Sequence, residues 1–282
     1  MFLLARDRAL ISVSGADRIA FLQGLVSNDV AKVSAGRALY AAFLTAQGKY
    51  LHDIFIAAIG ERLLIECEAP RRPDLVRRLS LYKLRSQVAL SEENGLSVGL
   101  YFGEGALGAL GLPETSGLAR VEQSGVVFVD PRLAALGARA YLSGAGLPTE
   151  TGTTADYDRL RISLGVPDGS RDLPVEKAIL LENGFDELNA IDWDKGCYMG
   201  QELTARTRYR GLVRKRLMPV TIEGPAPAFG APLLLGEKEA GEMRSANGEL
   251  GLALIRLEAL GQGVLTSGTA RLTPVKPGWA KF

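Results

Sequence analysis

The chain has 282 residues, of which 47% are hydrophobic and 23% charged, and its net charge is +1. This length allows one large core or two to three smaller ones, and the composition excludes a disordered chain. The near-neutral charge argues against a general nucleic-acid coat and against a basic membrane-surface protein.

Cysteine and histidine are scarce. The cysteines are Cys67 and Cys197, and the single histidine is His52. Two cysteines far apart exclude a disulfide scaffold and fit a reducing compartment, and one histidine removes most zinc-hydrolase and serine-triad mechanisms. The chain has no run of about 18 apolar residues and no secretory core at its start. We therefore expect no membrane partner, no permanent metal and a cytoplasmic location, in the bacterial cytosol or in the mitochondrial matrix of a eukaryote.

The first third of the chain alternates strand and helix signals. A capping pattern, with Ser14 followed by Asp17, predicts a helix that begins at Ser14 and ends before Asn28. Strands are predicted over 8–13, 39–46, 50–59 and 62–68, the last of which buries Cys67. A helix begins at Pro73 and runs to about Leu84. Its arginine-rich face indicates either a solvated surface or part of an anion site.

The remainder changes character twice. Short strands are predicted near 97–102, 125–130 and 138–142, and a helix over 153–167, followed by a long connection over 168–196. From Val213, short apolar runs alternate with glycine and proline, which is typical of a small β-barrel or sandwich. We accordingly predict an N-terminal region over 1–212 and a C-terminal barrel over 213–282.

The stretch DKGCYMGQELTAR, Asp194 to Arg206, is the strongest candidate site. Glycines on both sides of Cys197 permit tight backbone, and a helix is predicted to begin near Gly200. A cysteine just before a helix N-terminus, with a lysine two residues earlier, favours the thiolate form. The alternative is a packed turn in which the cysteine is a small hydrophobe.

Two further segments carry candidate residues. RTRYRGLVRKR, residues 206–216, has six basic residues and no acid, which suits either a solvated edge or a surface for a polyanion. Tyr209 in this run can stack on a ring or pack within the protein. In GKYLHDIFI, His52 and Asp53 alternate across a strand, and Asp53 among apolar neighbours indicates a buried carboxylate.

The cysteine motif resembles the signature K-G-C-[FY]-x-G-Q-E-x-x-x-R of the YgfZ-type folate-binding proteins, relatives of the glycine-cleavage T protein. The segments FLQGLVSNDV (21–30), QGKYLHDIFI (47–56), RLRISLGVP (159–167) and LENGFDELNAIDWDKG (181–196) are similar to other regions of that family. The resemblance covers most of 10–216. The downstream TARTRYRGLVRKRL is similar to the bacterial and mitochondrial branch linked to iron–sulfur protein maturation.

This resemblance implies an α+β fold of two intertwined lobes plus a C-terminal β-barrel, arranged as a three-lobed ring, with tetrahydrofolate or a one-carbon derivative in a central cleft. It also implies a role in the assembly or repair of iron–sulfur clusters, with client or assembly proteins as partners. Cys197 is the candidate working thiol and Asp53 the second candidate catalytic residue. The candidate cofactor-binding residues are Lys195, Gln201, Glu202, Arg206, Asn28 and Tyr209.

One departure separates this chain from the aminomethyltransferases. They carry paired aspartates where this chain has His52 and Asp53, and they lack the cysteine motif. Three hypotheses follow: a folate-dependent maturation factor, a folate-dependent aminomethyltransferase-type enzyme that uses Asp53, and an RNA-binding module that uses 206–216. The near-neutral net charge disfavours the third. A lone motif cysteine does not build a four-thiolate cluster site, so Cys197 acts by redox chemistry, by transient cluster ligation or on a one-carbon adduct.

Overall fold

A computed structural model describes residues 1–282 apart from the side chain of Ala145. The chain forms two compact units, and each is assembled from separate stretches of sequence. The first unit comprises Met1–Ala46, Leu51–Thr154 and Leu188–Gln201. The second unit comprises Gln47–Tyr50, Ala155–Glu187 and Glu202–Phe282.

Two five-stranded sheets form the framework of the first unit. One sheet has the order β3-β4-β5-β2-β6, with strands β2 Arg8–Ser14, β3 Leu39–Leu44, β4 Tyr50–Ile59, β5 Arg62–Glu68 and β6 Ala89–Glu93. The other has the order β1-β7-β10-β9-β8, with strands β1 Phe2–Leu4, β7 Leu96–Tyr101, β8 Ala119–Glu122, β9 Gly125–Val129 and β10 Ala138–Ser143. The helices are α1 Arg18–Gln23, α2 Arg72–Lys83 and α3 Ala106–Ala109. All but the last residue of β4 are buried, including the polar His52 and Asp53.

The second unit centres on a closed β-barrel. Its strand order is β11-β14-β13-β12-β15-β16, with strands β11 Lys215–Glu223, β12 Pro232–Leu235, β13 Lys238–Asn247, β14 Leu250–Arg256, β15 Leu265–Ser267 and β16 Ala270–Pro274. Closure pairs every strand on both sides and leaves no free edge. Met218, Met243 and Ile255 are among the fully buried side chains of the barrel core. The helices α4 Thr154–Ser163 and α5 Gln201–Tyr209 precede the barrel in the chain.

Most predicted elements are confirmed, including the hairpin of β3 and β4, the helix after Pro73 and the barrel after Val213. The segment 168–196 contains only short 3₁₀ turns, in agreement with the weak periodicity there. The prediction missed β1, β6, β8 and α3, which are short or half-exposed. Among the described residues, no helix is both long and apolar enough to cross a membrane.

The predicted capping box at the start of α1 is wrong. Ser14 is the last residue of β2, where it pairs with Ala89 of β6. The helix begins only at Arg18, and Asp17 makes no side-chain cap bond to it. The Asp17 carboxylate instead accepts from the Gln87 amide at 2.7 Å. Pairing with β6 extends the strand through Ser14, and this tertiary interaction outweighs the local capping signal.

Candidate functional site

Cys197 lies in the loop that leads into α5, and its side chain is exposed. The loop turns at Gly200, whose φ of +79° falls in the left-handed region that favours glycine. Gln201 closes this turn from the helix side: its amide donates to the Tyr198 carbonyl at 3.3 Å. Its side-chain oxygen accepts from the Tyr198 amide at 3.2 Å. The predicted helix start is confirmed, and the motif presents its thiol to solvent beside a braced turn.

Lys195 anchors the same loop to the end of α1. Its ammonium donates to the carbonyls of Gln23, Val26 and Asn28 at 2.8, 2.6 and 2.9 Å. Because an ammonium has three N–H groups, these three bonds use its full donor capacity. Burial lowers the pKa of Lys195 to about 8. This arrangement favours a positioning role for Lys195 over the expected direct contact with a cofactor.

Further hydrogen bonds fasten the motif loop to the segment that follows α1, which the sequence analysis treated as a separate motif. The Ser27 hydroxyl donates to the Ala190 carbonyl at 2.6 Å and accepts from the Ala42 amide at 2.8 Å. The Asp192 amide donates to the Ser27 carbonyl at 3.1 Å. The fold therefore brings together 23–30 and 190–199, which are about 165 positions apart, so the geometry around Cys197 depends on both.

A cavity of about 370 Å³ opens in the first unit. Asn28 helps to build its wall: its side-chain NH₂ donates to the carbonyls of Tyr40 and Asn189, each at 2.7 Å. The Asn28 side-chain oxygen accepts from the Asp29 amide at 2.8 Å. The cavity is lined by Asn28, Lys32, Arg37, Ala38, Leu39, Tyr40, Thr115, Ser116, Gly117, Pro131, Asn189, Ile191 and Asp192. Its volume lies within the usual range for small-ligand sites, and its lining mixes basic, amide, hydroxyl and aromatic groups.

Asp53 lies behind Tyr40 in the protein interior. The Asp53 side chain is 2% exposed and accepts a hydrogen bond from the Tyr40 hydroxyl at 3.2 Å. Burial, reinforced by the charge of Asp53, holds the pKa of Tyr40 well above its ordinary value, so the hydroxyl stays protonated and donates. The Arg132 guanidinium lies 5.6 Å from the centre of the Tyr40 ring. The predicted buried carboxylate is confirmed, and Tyr40 connects it to the cavity wall.

His52, the neighbour of Asp53 on β4, takes a different partner. Its Nε2 lies 3.0 Å from an Asp74 carboxylate oxygen on α2. Burial, together with the positive charge of Arg71, lowers the pKa of His52 to about 4. The neutral ring therefore donates to Asp74 at neutral pH, and the geometry indicates a structural role for His52.

The arginine-rich face of α2 is largely neutralised within the protein. Asp74 accepts from Arg77 at 2.6 Å and from Arg78 at 2.7 Å. Arg71 and Arg72 pair with Glu68 and Glu92. These contacts favour the solvated-surface interpretation of this face over the anion site.

The remaining predicted residues lie on α5. Glu202 and Arg206 form an exposed ion pair at 2.6 Å one helical turn apart. Pairs of this kind contribute about 0.3–0.5 kcal/mol to helix stability. The Tyr209 side chain is 75% exposed, and the Arg208 guanidinium lies 5.8 Å from its ring centre. In the basic run, Arg216 is buried against Glu187 and the Leu181 carbonyl, so it is not part of an open polyanion surface.

The two cysteines differ sharply. Cys67 on β5 is fully buried, and burial raises the pKa of its thiol to about 12. Among the described residues, no group of three or more histidine, cysteine, aspartate or glutamate side chains is placed to hold a metal ion. Cys197 is thus the sulfur that a partner or a solvent-borne group can reach.

Several residues of the cavity carry no functional signal in the sequence. Arg37, Ser116 and Asn189 belong to short loops, and Lys32 ends a 3₁₀ turn of three residues; none of these has a periodic signal. Asn189 adopts a φ of +60°, which asparagine tolerates better than most residues, but such a conformation is not readable from composition. Only the fold places the loop at 115–117 beside Asn28.

Comparisons with known proteins agree with this architecture. The chain is 35% identical to "Iron-sulfur cluster assembly factor IBA57, mitochondrial" of Mus musculus, over 96% of this chain and 83% of that protein. It is 35% identical to the Homo sapiens protein of the same name, over 90% and 76%. It is 34% identical to the mitochondrial IBA57 homolog of Neurospora crassa, over 93% and 71%.

The family model for the CAF17 C-terminal beta-barrel domain matches residues 214–282. The crystal structure of the glycine cleavage system aminomethyltransferase T from Bartonella henselae superposes with a TM-score of 0.79 at 16% identity, over 99% of this chain and 86% of that one. At this identity the likeness shows the fold alone, and it confirms the predicted T-protein-like α+β fold with a C-terminal barrel. The YgfZ-type assignment within the wider group stays a prediction.

Proposed function

The chain belongs to the IBA57 family, and on that premise we propose that it supports the assembly or repair of iron–sulfur clusters in other proteins through the thiol of Cys197. The relatives compared above are named iron–sulfur cluster assembly factors. The cluster is cargo in this proposal, and the partners are assembly factors or client enzymes. The protein acts where such clusters are made, in the mitochondrial matrix or the bacterial cytosol.

The exposure of Cys197 on a braced loop carries this proposal. Lys195 and Gln201 hold the backbone on either side of the cysteine, while the thiol itself faces solvent. A single exposed thiolate can supply one ligand to a cluster whose other ligands come from a partner, or it can exchange electrons with that partner's thiols. The buried Cys67 has neither option, because its thiol is inaccessible and its pKa is about 12.

The test compares the two cysteines in a strain that lacks the corresponding assembly factor. We expect Cys197→Ala to fail to restore the activity of cluster-dependent enzymes, while Cys67→Ala restores it. Both variants remove one sulfur, and the second controls for that loss. Full restoration by a folded Cys197→Ala protein would sink the thiol role.

We further propose that the cavity beside Asn28 binds tetrahydrofolate or a one-carbon derivative of it. The cavity has a wall shaped by Asn28 and Asn189, whose NH₂ groups donate to main-chain carbonyls, with the buried Tyr40 behind it. Arg37 offers a cation for the glutamate carboxylates, and Lys32, which pairs with Asp192 at the same wall, offers a second. The bound cofactor would supply a carrier for one-carbon units. The cavity wall in front of Tyr40 would hold the ring system, and the basic residues would hold the acidic tail.

Calorimetric titration with tetrahydrofolate and with its formyl and methylene forms tests this site. We expect Ser116→Trp, which places a large ring at the cavity wall, to weaken binding at least tenfold. Ser80→Trp, on the exposed face of α2, serves as the matched control and should bind like the wild type. Binding that survives Ser116→Trp unchanged would place the folate elsewhere. If none of the folate forms binds, the folate site is refuted.

The aminomethyltransferase alternative is less well supported by the geometry. Asp53, the carboxylate it would use, is 2% exposed and already accepts from Tyr40. Because Tyr40 is itself fully buried, a substrate amine in the cavity does not reach the Asp53 carboxylate behind it. Release of methylenetetrahydrofolate from an aminomethyl donor by the wild-type protein would revive this alternative.

A further inference from the structure

The carboxylate of Asp192 lies where the cavity beside Asn28 meets the cysteine loop, residues 193–199. Asp192 is one of the residues that line the cavity, and it directly precedes the loop that carries Cys197. Its amide donates to the Ser27 carbonyl at 3.1 Å, which fixes its backbone against the segment that follows α1. All of these residues belong to the first unit, so their contacts form within one compact body.

The two oxygens of the Asp192 carboxylate serve different neighbours. Oδ1 accepts from the Asp194 amide at 2.9 Å and from the Lys195 amide at 3.1 Å, and so holds the turn just before the cysteine. Oδ2 accepts from the ammonium of Lys32, which also lines the cavity. One side chain therefore contacts the cysteine loop with one oxygen and a cation of the cavity wall with the other.

Lys32 compensates the charge of a carboxylate that water scarcely reaches. The Asp192 side chain is 11% exposed, whereas the Lys32 side chain is 49% exposed. Partial burial alone would raise the pKa of Asp192, but the hydrogen bonds from Lys32 and from the Asp194 amide hold this pKa below its ordinary value. Removal of one partner from a desolvated ion pair leaves the other charge uncompensated, which is strongly unfavourable. The place of the Asp192 carboxylate therefore depends on Lys32.

A ligand in the cavity can reach Lys32, because about half of this side chain is exposed. A second carboxylate, that of Asp29, lies 3.8 Å from the Lys32 ammonium, so this cation already stands between two acids. An ammonium is a point charge with three rotatable donors on a flexible stem, and it changes partners without a strict geometric requirement. A carboxylate on a bound ligand accordingly competes with Asp192 for Lys32.

We propose that Asp192 is a positioning residue that couples the cavity to the cysteine loop. When an anionic ligand draws the Lys32 ammonium away, the Asp192 carboxylate turns toward the water of the cavity and releases the two loop amides. The loop then opens, and the thiol of Cys197 gains freedom to meet a partner. This coupling deepens the proposed function and rests on it, since it links the ligand of the cavity to the thiol that handles the cluster.

Hydrogen exchange of the cysteine loop tests the coupling without any ligand. Amide exchange over 193–199, measured by mass spectrometry on the full chain, reports opening of this segment. We expect Lys32→Ala to speed this exchange by about fivefold or more, because Asp192 then carries an uncompensated charge. Arg37→Ala removes another cation from the same lining and is the matched control. Arg37 is not an ion-pair partner of Asp192 in the described part of the chain, so this variant should leave the exchange unchanged.

The conservative variant Asp192→Asn separates this role from a merely structural one. The asparagine oxygen still accepts from the loop amides but carries no charge for Lys32 to balance. Exchange over 193–199 should therefore stay near the wild-type rate in Asp192→Asn, and Lys32→Ala added to this variant should have no further effect. Asp192→Ala, which removes the acceptor, should speed the exchange. Circular dichroism verifies that each variant is folded. Equal effects of Lys32→Ala in the wild-type and Asp192→Asn backgrounds, or no effect in the wild type, would overturn the coupling.

The formyl derivative of tetrahydrofolate is the probe for the ligand-driven step. At saturation we expect it to speed exchange over 193–199 in the wild type by about threefold or more and to leave the exchange of Asp192→Asn unchanged. A probe that binds the wild type in calorimetry but slows the exchange, or leaves it unaltered, would overturn this step. Absence of binding refutes the folate site, whereas the ligand-free comparison decides the coupling between Lys32, Asp192 and the loop. The two failures are thereby distinguishable.

Discussion

At the scale of single residues, the neighbours His52 and Asp53 show how one strand serves two environments. His52 faces Asp74 on α2, and Asp53 faces Tyr40 on β3. Alternation along a strand predicts that the two side chains diverge, and this is what the structure shows. The partners Asp74 and Tyr40 were not predictable, because each lies on another element, 22 and 13 positions away along the chain.

His52 makes stability depend on pH. Its folded pKa is about 4, below the ordinary value of 6.5, so the unfolded chain binds an extra proton between these two pH values. The free energy of unfolding therefore falls as pH drops through this window, by about 1.4 kcal/mol per pH unit from this group. Replacement by His52→Gln keeps an N–H for Asp74 but removes the titration. The free energy of unfolding, measured by urea denaturation from pH 7 to pH 4, should fall less steeply for this variant than for the wild type. Equal slopes for the two proteins would contradict the role given to His52.

At the scale of elements, the turn between β2 and α1 is decided by close backbone approach. Gly15 has a φ of +107°, and a Cβ built on it would lie 2.0 Å from the Gln87 carbonyl oxygen. The sequence pattern marked Ser14 and Asp17 as the boundary, whereas the structure places the decisive constraint on the glycine between them. The constraint comes from the Gln87 carbonyl in the segment before β6, and local sequence propensity does not predict this contact.

Substitution at this turn should be costly. We expect Gly15→Ala to lower the free energy of unfolding by more than about 3 kcal/mol, because both the backbone clash and the left-handed φ oppose a side chain. Gly60→Ala is the matched control: its φ is +57° and its Cβ would meet no atom within 4 Å. It should cost only about 1–2 kcal/mol of conformational strain. Urea denaturation of both variants measures the difference, and equal losses would contradict the clash.

At the scale of the whole molecule, the barrel depends on chain that precedes it. Arg161 on α4 is fully buried, donates to Asp172 at 2.7 Å and reaches the hydroxyl of Ser245 on β13 at 3.1 Å. Ile162 packs in one apolar cluster with Leu217 and Leu252. The compact unit that contains the barrel accordingly takes in 155–187, upstream of the boundary predicted at 213.

Truncation tests this dependence. A chain that ends at Val213 loses the barrel side of these contacts, so we expect trypsin to cleave within 155–187 far faster than in the full chain. Arg161 would keep its carboxylate partners Asp158 and Asp172 but lose the Ser245 hydroxyl, and Ile162 would lose the apolar cover of the barrel. Mass spectrometry of the fragments locates the cuts. Protection of 155–187 equal to that in the full chain would show that this segment is stable without the barrel.

The sequence by itself determined the type of most elements, the barrel character after Val213 and the cysteine motif with its helix start. These signals are local: hydrophobic periodicity, turn residues and a contiguous signature survive without knowledge of the fold. Only the tertiary structure shows that the Lys195 ammonium donates its hydrogen bonds to carbonyls at the end of α1 and that Asp53 lies behind Tyr40. Only the tertiary structure shows the cavity beside Asn28. Each of these joins residues far apart in the chain, and no spacing rule encodes such contacts, because they arise only when each unit folds and buries its own apolar faces.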